Sequence, residues 1–86
     1  ILVDVFNSLG LRFIKSSNDI LVIFRDRPYL LSLEINIEDA IFEFKNRLII
    51  NNDISYKEIG YDLINLIDAE IRKLKIRKLL DINENI

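Results

Sequence analysis

The side chains of this 86-residue chain that could do chemistry are mostly carboxylates. Asp39 and Glu43 stand four residues apart in a stretch with helical periodicity. That spacing places both on one helix face, where they could share a divalent cation. Little else could join them. The chain has no His and no Cys, so the common general base, the imidazole and thiolate metal ligands and the thiol nucleophile are all missing. Ser8, Ser16, Ser17, Ser32 and Ser55 have no imidazole to activate them. Gly10 and Gly60 stand far apart and make no loop that could cradle a phosphate. A catalytic site, a cofactor and a bound metal are therefore not expected.

Within the acidic stretch, Glu43-Phe44-Lys45 resembles the E-x-K element of a large class of metal-dependent nucleases, with Asp26 upstream as a second ligand. That family carries E-x-K on a strand, whereas these residues read as helical. The competing expectation is a solvated helix face on which Asp39 and Glu43 serve the helix dipole. The basic residues are more sharply localised. Arg72, Lys73, Lys75, Arg77 and Lys78 hold five of the twelve cations, leaving seven basic residues against fourteen acidic ones elsewhere. Such asymmetry suits contact with an acidic partner or a nucleic acid. It equally suits the C-terminal turns of a helix, where cations offset the negative dipole end and long stems cover apolar surface.

The elements that must position these residues are legible in the periodicity. Leu2, Val5, Phe6 and Leu9 recur at helical spacing, and Gly10 is placed to end that short helix in the left-handed conformation. A first strand is expected over Leu11–Lys15, then a polar turn at Ser16-Ser17-Asn18-Asp19. Ile20–Arg25 is apolar on consecutive residues, which reads as a central strand covered on both faces. Asp26-Arg27-Pro28 breaks it. Tyr29–Ile37 alternates, with Tyr29, Leu31, Leu33, Ile35 and Ile37 turned inward, as a half-buried strand does. The short links imply an antiparallel meander. A helix is expected from about Glu38 to Ile50, capped by Asn36, with Ile37, Ala40, Ile41, Phe44 and Leu48 buried. Phe42 and Ile49 fall off that stripe.

The last helix, from Ser55 to about Asp81, dominates the chain. Ser55 with Glu58 matches a capping box, and Ile54 with Ile59 a hydrophobic staple. Ile64, Ile67, Ile71 and Leu74 form its inner stripe, widened by Ile59, Leu63 and Leu66. About 27 residues make a rod of roughly 40 Å, while a domain this small measures only about 30 Å across. Ile76, Leu79 and Leu80 therefore need cover, supplied either by a bend near Leu74 or by a partner.

The whole is expected to be one α+β domain of order α-β-β-β-α-α over residues 1–86. That order resembles the double-stranded-RNA-binding domain over its first five elements. At the start of the helix after the sheet, however, this chain has Glu38 and Asp39 where that family has cations, and no functional residue carries over. Half the residues are hydrophobic, a high fraction for so short a chain. No apolar run reaches the ~20 residues of a membrane span, and no leader peptide is recognisable, so an intracellular, cytoplasmic location is expected. The leading functional expectation is a small non-enzymatic protein–protein interaction module. It would be a homodimer or an assembly subunit, with Ile76, Leu79, Leu80, Phe42 and Ile49 at the contact. The alternative is a nucleic-acid-binding accessory protein using the cluster at Arg72 to Lys78.

Overall fold

The computed structural model describes the backbone of residues 2–84 and the side chains of residues 2–74. The elements run α1 (Leu2–Ser8), β1 (Arg12–Lys15), β2 (Asp19–Phe24), β3 (Arg27–Ser32), α2 (Ile37–Ile49) and α3 (Ile54–Glu84). This is the expected α+β order, with the strands in one antiparallel sheet ordered β1-β2-β3.

Local chemistry explains each boundary. α1 ends in a Schellman motif: Leu11 N–H donates to the Phe6 carbonyl, Gly10 N–H donates to the Asn7 carbonyl, and Gly10 takes φ 68°. The first hairpin closes on Ser16, whose N–H donates to the Asp19 carbonyl while its Oγ accepts from Asp19 N–H. The second turn has only two central residues, Arg25 and Asp26, at φ 50° and 62°. Both are left-handed, as a two-residue hairpin matching the strand twist requires. Asn36 caps α2 through its side-chain oxygen, which accepts from Asp39 N–H at 2.8 Å.

The structure corrects the expected elements at three places. β3 stops at Ser32 instead of running to Ile37. Leu33 N–H still donates in register to the Asn18 carbonyl, but Ser32 Oγ accepts from Glu34 N–H and bends the chain out of the ladder before Ile35. α3 is capped by Asp53 rather than Ser55. Asp53 Oδ1 accepts from Tyr56 N–H, and Asn51 Oδ1 holds Asp53 N–H. Ser55 Oγ instead accepts from Arg27, and Ile54, the intended staple residue, is exposed. Within the same helix Leu66 leaves the inner stripe and is exposed, while Gly60, Leu63, Ile64 and Ile67 are buried.

The third correction concerns β2, which is covered on one face only. Ile20, Val22 and Phe24 are buried beneath the helices, while Leu21 and Ile23 on the other face are only half-buried. The core lies between the sheet and the helices, built from Leu2, Val5 and Phe6, the inner β2 and β3 residues, Ala40, Phe44 and Leu48, and Leu63, Ile64 and Ile67. The described helices all pack on that one side.

α3 is an unbroken 31-residue helix, about 46 Å long at 1.5 Å per residue. The molecule measures 51 × 26 × 22 Å, so this helix exceeds both short dimensions.

Candidate functional site

β2 reaches each neighbour through alternate residues. Ser16 and Asp19 form a hydrogen-bonded pair at the first turn, so Asp19, Leu21 and Ile23 face β1 with their backbone groups, and Ile20, Val22 and Phe24 face β3. On β3 this leaves Pro28, Leu30 and Ser32 with backbone groups directed outward. Two of those carbonyls are occupied: Pro28 O accepts from Tyr56 OH at 2.6 Å, and Leu30 O accepts from the Arg47 guanidinium. Pro28 has no N–H to offer at this edge, a usual place for proline. The β3 edge is thus closed by α2 and α3.

Register also sorts the side chains by face. Partners across an antiparallel ladder share a face, so Val22, Phe13 and Tyr29 point to the helices. Ile14, Leu21 and Leu30 form one row on the opposite face, and Arg12, Ile23 and Pro28 form the next. Ile14 is 68% exposed and Leu30 43%. This apolar sheet face was missed by sequence reasoning, which took β2 as covered on both sides. Its signal was present all the same. Five consecutive apolar residues, Ile20 to Phe24, ask for two covers, and the helices supply one.

A second apolar area lies on α2 and the turn after it. Phe42 and Ile49, the two residues expected off the buried stripe, are 63% and 59% exposed. Ile50 and Ile54 beside the α2–α3 turn are exposed as well. The other expected contact residues, Ile76, Leu79 and Leu80, lie outside the residues whose side chains are described, as do Lys75, Arg77 and Lys78. Of the basic cluster, Arg72 and Lys73 are exposed. Lys73 Nζ is 4.0 Å from Glu70, the one buried charged residue among those described. Arg72 lines a cleft of about 330 Å³ together with Glu38, Asp68 and apolar Ile37, Ile41 and Ile71. The two described cations of the cluster therefore sit beside carboxylates.

The acidic stretch is helical. Asp39 Oδ2 accepts from Asn36 within the α2 cap. Glu43 and Lys45 are exposed on either side of buried Phe44, and Asp26 is in the β2–β3 turn. Among the described residues no three potential ligands converge. The best-organised polar constellation is instead a pair of tyrosines. Tyr29 is fully buried and donates to the Tyr56 carbonyl at 2.8 Å, and the two rings stack with centroids 4.4 Å apart. Burial pushes the Tyr29 phenol up to about 12, with Tyr56 adding to the rise and Arg27 opposing it. Burial raises Tyr56 as well, against the opposing charge of Arg47. Both phenols stay neutral donors at ordinary pH, which suits them to tying β3 to α3 and not to moving protons. No described helix is long and apolar enough to cross a membrane. Comparison with known protein families, with curated proteins and with solved structures finds no match.

Proposed function

We propose that this chain is a non-enzymatic protein–protein interaction module that works as a homodimer or as a subunit of a larger assembly. The observation that carries this reading is the amount of aliphatic and aromatic surface left in water by so small a fold. Ile14, Phe42, Ile49, Ile50 and Ile54 are each more than half exposed. Single exposed apolar residues are ordinary, but grouped ones on a small domain mark contact surface. The length of α3 points the same way. The sequence places Ile76, Leu79 and Leu80 in its last turns, and those turns extend a helix already longer than the body is wide.

Sedimentation velocity from about 1 to 200 µM tests the reading, because mass action makes association visible across that range. A sedimenting mass above the 10.2 kDa of one chain supports self-association. A clean monomer at the highest concentration would falsify the homodimer.

A further inference from the structure

The open sheet face has an arrangement of charge that selects its cover. Its central row is Ile14, Leu21 and Leu30. At one end lie Arg12, Ile23 and Pro28, and at the other Asp19 opposite Ser32. The end rows are four residue steps apart along β2, about 13 Å at roughly 3.3 Å per residue. Arg12 and Asp19 are the only charged residues that the register places on this face among the described strands. They stand at opposite ends, and no ion pair among the described residues includes either of them.

We propose that a second copy of this chain covers this face, the two sheets packing face to face about a two-fold axis that crosses the strands over the central row. This rests on the self-association proposed above and moves its main contact from the end of α3 to the sheet. The axis reverses strand direction, so the Arg12 row of one copy lies over the Asp19 row of the other. Arg12 then approaches Asp19 of the partner subunit, and symmetry makes that contact twice. Ile14, Leu21 and Leu30 meet their own equivalents in the dry centre. A two-fold axis along the strands would instead set Asp19 over Asp19 of the partner subunit, and like charges facing each other oppose that packing. Two three-stranded sheets about 10 Å apart, each backed by its own helices, make an α/β/β/α sandwich. Leu21 and Ile23 thereby gain the second cover that the apolar run of β2 requires.

The strand edges are poorer sites for a second copy. Tyr56 and Arg47 occupy the β3 edge. Pairing β1 with a second β1 would gather two copies each of Arg12 and Lys15, a charge arrangement that keeps edges apart. The face itself measures roughly 15 by 20 Å from strand spacing and rise. That is small for a specific interface, so dissociation is expected in the micromolar range.

The test is sedimentation velocity on the full chain and its variants, with far-ultraviolet circular dichroism to verify the fold. Ile14→Lys and Leu30→Lys are each expected to weaken association by about 30-fold or more, since each buries an ammonium in the apolar centre. Arg12→Asp and Asp19→Arg singly are expected to weaken it about 3- to 10-fold, and the double variant to return within about 2-fold of the parent. If both lysine variants stay folded and dimerise like the parent, the sheet face is not the interface. Loss of the dimer in Leu79→Lys would then leave self-association standing through α3. A parent chain that is monomeric throughout overturns both proposals. A double charge variant weaker than either single one overturns the reversed stacking.

Discussion

The two faces of β2 carry similarly apolar side chains over Ile20–Phe24 and have opposite fates. On β2, Ile20, Val22 and Phe24 lie at or below 7% exposure, while Leu21 and Ile23 between them remain partly in water. The strand alternates because backbone geometry alternates, not because its residues do. What separates the faces is the connectivity that carries α1, α2 and α3 to one side. An apolar side chain creates a demand for cover, and only the path of the chain decides whether that demand is met within one molecule.

Substitutions on the two faces should therefore separate sharply. The largest effect is expected on the inner face. Leu31 is fully buried, and Leu31→Ala should cost about 2–5 kcal/mol through lost burial and a residual cavity, read from the urea midpoint. In the monomer, Ile14→Ala on the outer face should stay within about 0.5 kcal/mol. Equal losses at dilutions where the chain is monomeric would break the comparison.

A step smaller, Gly60→Ala probes how tightly α3 sits over the inner face. A Cβ at Gly60 would come within 2.7 Å of both Leu48 methyl groups and 3.1 Å of the Tyr29 ring. Overpacking of about 1–3 kcal/mol is partly offset by the roughly 1 kcal/mol better helix propensity of Ala. A net loss of about 1 kcal/mol is expected, and a gain in thermal stability would show that α3 can lift without cost.

Tyr29→Phe removes one inner-face hydrogen bond and should cost about 1 kcal/mol at neutral pH. Its signature is alkaline. The folded phenol titrates near 12 against 10 for an ordinary tyrosine. The unfolded chain therefore releases its proton first, and stability falls as pH rises through 10 toward 12. The stabilising term is fully present below pH 10. Phe at this position should flatten that part of the unfolding curve, and an unchanged alkaline slope would contradict the buried phenol.

The smallest change concerns the turn that holds the two faces in register. Asp26 has φ 62°, and Asp26→Gly should relieve left-handed strain and stabilise by about 0.5–1 kcal/mol in the same denaturation assay. Destabilisation would mean that the Asp side chain contributes more than its backbone strain removes.

Much of this could be read from local residue order. Asn36 caps α2, Gly10 is left-handed after α1, and Phe42 and Ile49 stand off the buried stripe, because caps, glycine conformations and helical phase act over a few residues. The reading of the α3 start failed on a distant partner. Ser55 with Glu58 matched a capping box, yet Asp53 is the residue that caps α3. The choice fell to Asp53 because Arg27, 28 positions away, takes the Ser55 hydroxyl and Asn51 holds Asp53 in place. β3 ended early for a local reason, because the Ser32 hydroxyl takes the Glu34 N–H and turns the chain toward α2.

By itself, the order of amino acids determined the six elements, the antiparallel meander and the apolar demand of β2, since each depends on hydrophobic period and short links. Only the tertiary structure decided that all three helices share one side of the sheet, leaving Ile14, Leu21 and Leu30 open, because cover is a property of where elements meet in space and not of any one strand.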